Sequence, residues 1–158
     1  MQVSDILRVK GHALYTTRPE SSVYEAARIM ADQDIGSLVV MEHGELVGML
    51  TFREIIALLV KQDGQLLQTQ VRTAMDDHPL TCTMGTPLDE VRRMMLERHA
   101  RYMPVMDKAQ LMGVISFYDV AKTVVDAQNF ENQMLKAYIR DWPEEDDPNS
   151  TEEVQDKA

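Results

Sequence analysis

The chain repeats itself. Sliding the sequence by 65 residues aligns residues 15–60 with residues 80–125 without a gap, and about ten of the aligned pairs are identical. The match is clearest between GMLTFRE at 48–54 and GVISFYD at 113–119. Both segments contain a glycine, an apolar pair, a hydroxyl residue, Phe, a variable residue and an acid, in that order. An ungapped internal match of this length indicates two copies of one supersecondary unit.

Each copy predicts the same order of secondary structure. A short extended segment, LYTT or LTCT, leads into a helix with apolar residues at helical spacing. Ser22 and Glu25 have the spacing of a capping box, and Thr86 followed by Pro87 predicts a capped helix start in the second copy. Two β-type runs separated by a turn follow, and a second helix opens at the Phe of each repeated motif. The sequence therefore predicts a mixed α/β (α+β) fold of two β-α-β-β-α repeats.

A unit of about sixty residues buries little core alone, so we expect the two copies to pack across their sheets as one pseudo-twofold module. Few apolar residues remain near the acidic end, which predicts disorder there. The predicted organisation is a first repeat at 1–62, a hinge at 63–70, a second repeat at 71–126, a C-terminal helix at 127–142 and an acidic tail at 143–158.

The segment before the tail carries an apolar stripe that is rich for a lone exposed helix. Its members are Val125, Phe130, Met134, Leu135, Tyr138 and Ile139. The stripe indicates either a dimer contact or docking onto the module.

Composition excludes several classes of protein. The formal charge of −10 disfavours nucleic-acid binding, because a polyanion is repelled by an acidic surface. No apolar run reaches the roughly 18–20 residues of a membrane span, and the first residues do not resemble a signal peptide. The single cysteine, Cys82, excludes an internal disulfide and favours a reducing, cytoplasmic compartment. A soluble cytoplasmic protein is the expectation.

Signatures of catalysis are missing from the sequence. The four histidines lack the i, i+4 spacing of metal ligands, and no P-loop, G-x-G-x-x-G or G-x-S-x-G motif occurs. Cys82 lies in a predicted strand without a sequence signal for a catalytic partner, so we expect it to be a small core residue. The sequence predicts a protein that is not an enzyme and holds neither a metal nor a catalytic cofactor.

The two copies resemble the CBS (cystathionine β-synthase-type) domain, which usually occurs as a tandem pair. The resemblance covers about residues 1–126. It is carried by the β-α-β-β-α repeat, the G-x-x-[TS]-x-x-[DE] motifs, the segments IGSLVV and ARYMPV, and the lead-ins VSDIL and VRTAM. In this family the cleft between repeats holds adenosine ligands, including AMP, ATP, NAD(H) and S-adenosylmethionine. The resemblance implies an adenine-nucleotide site in each copy.

The chemistry of the repeated motif agrees with such a site. Thr51 and Ser116 end apolar strands, and Glu54 and Asp119 lie in the first turn of the following helices. Backbone N–H groups at a helix N-terminus favour phosphate, and a carboxylate nearby can accept both hydroxyls of a ribose. A guanidinium group binds phosphate through two hydrogen bonds, which makes Arg53 a candidate for the phosphate.

The resemblance assigns candidate binding residues by position: Thr16, Ile35, Gly36, Ser37, Thr51, Arg53, Glu54, Thr81, Arg101, Tyr102, Met103, Pro104, Ser116, Tyr118 and Asp119. Other interpretations stay open. Thr51 and Ser116 are equally compatible with plain helix caps. Glu54 is longer than the family's Asp, Tyr118 can stack on a base or block the pocket, and Arg53 can pair with an acid instead.

Two functions compete. In the first, the chain is a regulatory module that binds AMP, ATP or NAD(H) between its repeats, forms a homodimer and signals to a separate partner protein. In the second, it is a ligand-free dimerising scaffold that uses the 126–142 helix and the acidic tail. The second function is favoured by the apolar helix and by the departures from the family's pattern at Glu54 and Tyr118.

Overall fold

A computed structural model of the chain describes residues 1–63 and 66–141. Met1–Lys122 form one compact unit, and a second begins at Thr123. The elements are α1 (Val3–Lys10), β1 (Thr16–Thr17), α2 (Val23–Gln33), β2 (Ser37–Glu42), β3 (Glu45–Thr51), α3 (Phe52–Lys61), α4 (Val71–Ala74), α5 (Leu88–Arg98), β4 (Tyr102–Asp107), β5 (Gln110–Ser116) and α6 (Phe117–Asp141). The predicted mixed α/β class is confirmed. The predicted tail at 143–158 lies outside the described residues.

The two sheets follow the repeat. In the first copy β1 runs parallel to β2, and β2 pairs with β3 in antiparallel register. In the second copy β4 and β5 form the equivalent antiparallel pair, and the predicted extended segment contributes a single bridge between Cys82 and Val105. The register shifts at the same place in both hairpins, between Val40 and Met41 and between Val105 and Met106. The copies therefore share their backbone irregularities as well as their sequence.

One predicted cap is confirmed and one is wrong. The Ser22 hydroxyl accepts a hydrogen bond from the Glu25 N–H at 3.0 Å and caps α2. Thr86 instead accepts from the Thr83 N–H at 3.0 Å and makes no cap bond to α5. The reason is that Pro87 has extended backbone, with ψ of 142°, so that it precedes the helix and Thr86 belongs to the turn before it.

Each copy completes the core of the other with its lead-in segment. The first core combines α2, β2, β3 and α3 with Val71 of α4, the lead-in of the second copy. The second core combines α5, β4, β5 and the start of α6 with Val3, Ile6 and Leu7 of α1. Val3, Leu7 and Val71 are fully buried. The two copies are thus interdependent, which agrees with the small core expected of one repeat.

The glycine of each repeated motif makes room for the exchanged segment. A Cβ atom at Gly48 would lie 2.8 Å from the backbone oxygen of Asp76, just after α4. A Cβ atom at Gly113 would lie 2.9 Å from a methyl carbon of Leu7 in α1. These distances are shorter than side-chain atoms tolerate without movement. Gly48 and Gly113 therefore have a packing role.

Cys82 is a core residue, as expected from the sequence. Its side chain is 5% exposed, and burial raises the pKa of its thiol to about 12. Because the thiolate is the reactive form, this raised pKa makes the reactive species scarce in the folded chain at pH 8. We expect a thiol reagent at pH 8 to label the folded chain far more slowly than the chain in urea. Equal labelling rates with and without urea would contradict this burial.

Candidate ligand-binding clefts

Two clefts open on the unit formed by Met1–Lys122. The first cleft has a volume of about 650 Å³ and is lined by the 51–54 part of the first motif together with residues 98–102 of the second copy. The second cleft has a volume of about 860 Å³ and is lined by the 116–118 part of the second motif together with residues 34–37 of the first copy. Each cleft therefore combines the motif of one copy with the loop of the other. Both volumes suit a small-molecule ligand.

The two clefts are related by the sequence repeat. Thr51 and Phe52 of the first cleft correspond to Ser116 and Phe117 of the second, with the 65-residue offset found by self-comparison. The loops also correspond, because 99–102 aligns with 34–37. Arg101, Tyr102 and Phe117 line both clefts. These three residues lie where the clefts approach each other.

In the first cleft, the hydroxyl and the acid of the motif form a capping box. The Glu54 carboxylate accepts hydrogen bonds from the Thr51 N–H at 2.8 Å and from the Thr51 hydroxyl. The Thr51 hydroxyl oxygen in turn accepts from the Arg53 N–H at 3.2 Å. This geometry fixes the carboxylate at the N-terminus of α3. The capping interpretation of Thr51 is therefore confirmed, and its role toward a ligand stays a prediction.

The second cleft repeats this box with a shorter acid. The Asp119 carboxylate accepts from the Ser116 N–H at 2.8 Å, and the Ser116 hydroxyl accepts from the Asp119 N–H at 3.1 Å. Ser116 lines the cleft, and the Asp119 side chain beside it is 18% exposed. The Asp119 carboxylate is therefore positioned by hydrogen bonds within the chain itself.

Charge differs between the clefts. The first is lined by the guanidinium groups of Arg53, Arg98 and Arg101 against the carboxylates of Glu54 and Asp76. Within residues 1–63 and 66–141, no ion pair joins Arg53 to an acid. The pairing of Arg53 with Glu54 that the sequence left open is therefore not made, and Arg53 is part of the cleft lining.

The second cleft is more balanced in charge. Arg101 and Lys10 line it with Asp34, and Asp119 lies beside them. Tyr118, which the sequence left open as stacking or blocking, also lines this cleft and is 71% exposed.

Most of the sequence-predicted site residues line a cleft, and five do not. Those absent from the linings of these two clefts are Thr16, Thr81, Met103, Pro104 and Asp119. The residues just before the two threonines, Tyr15 and Leu80, line the second and first clefts respectively. Successive side chains of an extended segment alternate in direction, so an offset of one residue removes the threonines from the lining. Met103 and Pro104 are buried in β4, and the Asp119 carboxylate contacts Lys10, which does line the second cleft.

Sequence reasoning missed several lining residues. His78, Arg98 and His99 line the first cleft, and Lys10 and Asp34 line the second. The internal alignment pairs His99 with Asp34, and that pairing was the available signal for those two positions. No local pattern pointed to Lys10, because it approaches the motif from 109 residues away.

The described part of the chain contains neither a metal-ligand cluster nor a membrane-spanning helix. Among those residues, no three His, Cys, Asp or Glu side chains cluster as metal ligands. None of the described helices combines the length and apolarity needed to cross a membrane.

Sequence comparison finds the same repeat in known proteins. The chain matches the family model of the CBS domain twice, over residues 3–61 and 71–126. It is 29% identical over 148 residues to the CBS domain-containing protein CBSX3, mitochondrial, of Arabidopsis thaliana, covering 87% of this chain and 71% of that protein.

Structural comparison gives similar neighbours. The CBS-domain containing protein ATU1752 from Agrobacterium tumefaciens has a TM-score of 0.75 and 31% identity, over 78% of this chain and 98% of that one. The CBS domain pair of protein MJ0100, solved in complex with 5-methylthioadenosine and S-adenosyl-L-methionine, has a TM-score of 0.70 and 26% identity, over 80% and 98%. These neighbours match the fold over both repeats.

Proposed function

Because the chain belongs to the CBS domain family, with one domain at residues 3–61 and another at 71–126, we propose that it is a regulatory module that binds adenine nucleotides in its two clefts. AMP, ATP and NAD(H) are the ligand candidates. Occupancy would be signalled to a separate partner protein. The ligands of the MJ0100 domain pair, which both contain adenosine, support this choice of ligand class.

The construction of each cleft from both copies is the observation that carries the proposal. A helix N-terminus with a fixed carboxylate lies on one side, and the loop of the other copy lies opposite. Phosphate is favoured near the N-terminus and arginine, ribose near the carboxylate, and a base against Tyr102 and Phe117. The phosphate, the ribose and the base of an adenine nucleotide therefore each have residues of suitable chemistry in the cleft.

The same construction suggests how binding would be transmitted. A ligand that touches both copies binds best at one relative placement of them, and it shifts the population toward that placement by its difference in affinity. The proposal includes a homodimer. Either the second copy of the chain or a separate partner protein would respond to the relative placement of the two repeats.

We expect an adenine nucleotide to raise the melting temperature of the full chain. A ligand that binds only the folded state stabilises it by about 2.7 kcal/mol at a hundredfold excess over Kd. Thermal unfolding with AMP, ATP, NAD⁺, NADH and S-adenosylmethionine, followed by calorimetry, measures this effect. Guanosine monophosphate is the matched control, since it carries the same phosphate and ribose with another base.

No shift with any of these ligands at millimolar concentration would contradict the nucleotide module. It would favour the alternative, a ligand-free dimerising scaffold. One observation supports that alternative: the apolar residues of α6 from Val125 to Ile139 include six side chains that are 52–71% exposed. Sedimentation at several concentrations would then show association without any response to nucleotide.

A further inference from the structure

Lys10 joins the lead-in helix to the acid of the second motif. Its ammonium group lies 2.7 Å from the Asp119 carboxylate and donates a second hydrogen bond to the Val114 backbone oxygen at 3.0 Å. Val114 and Lys10 both line the second cleft. The Lys10 side chain is 43% exposed, so its charge remains accessible from the cleft.

The position of Lys10 is fixed by a well-anchored helix. Leu7, one turn earlier, is fully buried in the second core, and its carbonyl accepts the Gly11 N–H at 2.8 Å. Gly11 ends α1 with φ of 88°, a conformation that glycine adopts readily. His12 is held in turn by a 2.9 Å contact between its ring nitrogen and the Met112 carbonyl. Lys10 therefore lies between neighbours that are held by contacts with the second copy.

The first cleft has no such amine. The lead-ins VSDIL and VRTAM correspond with Val3 at Val71, and Leu7 and Met75 both contact the glycine of a repeated motif, so the residue equivalent to Lys10 is His78. His78 lines the first cleft, but its ring nitrogen contacts the Asp77 carboxylate at 2.8 Å instead of the acid of the motif. Lys10 thus marks a chemical difference between the two clefts that the repeated motif does not contain.

We propose that Lys10 determines the ligand selectivity of the second cleft, making it prefer adenosine ligands with a net negative charge over neutral ligands and ligands with a net positive charge. This inference rests on the proposed function. The charged residues that line the cleft are Lys10, Arg101 and Asp34, and Asp119 adjoins them through its ion pair with Lys10. Removing the Lys10 charge leaves the acids in excess, so a phosphate meets repulsion while a sulfonium cation meets attraction.

Ribose binding gives Lys10 its second role. A ribose hydroxyl that reaches Asp119 competes with the Lys10 ammonium group for the same carboxylate. The displaced ammonium group remains within the cleft and can bind a phosphate oxygen there. A neutral nucleoside offers no such replacement, so it loses the Lys10–Asp119 interaction without compensation.

A Lys10→Met variant tests the inference, since methionine keeps an unbranched side chain and removes the charge. Two-dimensional NMR titration of the full chain resolves the clefts, with the Gly36 and Ala121 amides reporting on the second and those of Ile56 and Leu96 on the first. The ligands are AMP, adenosine and S-adenosylmethionine. At the second cleft we expect the preference for AMP over adenosine to fall on the order of tenfold. Affinity for S-adenosylmethionine should rise.

Arg8→Met is the matched control. Arg8 lies in the last turn of the same helix, pairs with Asp5 at 3.5 Å and lines neither cleft. It should leave the preference at the second cleft unchanged. Equal preferences in Lys10→Met and the unaltered chain would overturn the inference, as would an equal loss in Arg8→Met, which would indicate a long-range charge effect.

NMR titration of the unaltered chain distinguishes a failure of the Lys10 proposal from a failure of the proposed function. Nucleotide binding confined to the first cleft would overturn the role of Lys10 and leave the proposed function standing. Absence of binding at both clefts would overturn the proposed function and the selectivity with it.

Discussion

Leu7→Ala is expected to lower the free energy of unfolding by about 3–5 kcal/mol, the range for a leucine removed from a well-packed core. Leu7 belongs in sequence to the lead-in of the first copy, yet its side chain is fully buried in the core of the second. Its methyl groups pack against the backbone at Gly113. The substitution leaves a cavity that the surrounding strands and helices fill only in part.

Val9→Ala supplies the matched control on the same helix. Val9 is 89% exposed, so its truncation should change stability by less than about 0.5 kcal/mol. Urea unfolding followed by circular dichroism measures both variants. Hydrogen exchange shows which part of the chain is destabilised, and the amides of β4 and β5 should lose protection in Leu7→Ala. Equal stability of the two variants would show that α1 does not contribute to the second core.

The internal repeat made most of the fold predictable. With a period of 65 residues, the apolar spacing that predicts each helix and hairpin occurs in both copies, so each element is predicted from two segments. The N-cap at Ser22 is predicted from its spacing to Glu25. Patterns of this kind report on which face of an element is apolar. They do not report on which partner covers that face, and so the exchange of α1 and α4 between the cores was not predicted.

In the candidate clefts, too, contacts between sequence neighbours could be predicted and contacts between distant segments could not. The hydroxyl and the acid of each motif are neighbours in sequence, and their capping geometry follows from a spacing of three residues. Contacts between distant segments have no such signature. Lys10 meets Asp119 from 109 residues away, and the predicted Thr16 and Thr81 missed the lining by one position of an extended segment.

The carboxylates of the two motifs provide the second large effect. We expect Asp119→Asn to weaken adenosine binding at the second cleft by about tenfold to a hundredfold, because hydrogen bonds to a charged group contribute about 1.5–3 kcal/mol. Adenosine is the better ligand for this purpose than AMP, since it offers ribose and base without a phosphate for the freed Lys10. The same NMR titration measures the affinity at each cleft.

Stability separates a binding role of Asp119 from a capping role. The asparagine oxygen can still accept the Ser116 N–H, and the lost Lys10 pair is partly exposed, so the free energy of unfolding should fall by less than about 1 kcal/mol. Glu54→Gln is the matched change in the first motif, and it should weaken binding at the first cleft alone. A purely capping carboxylate would give the opposite result for both variants: lower stability with unchanged affinity. The two acids would then be structural, and the repeated motif would be a helix start without a ligand.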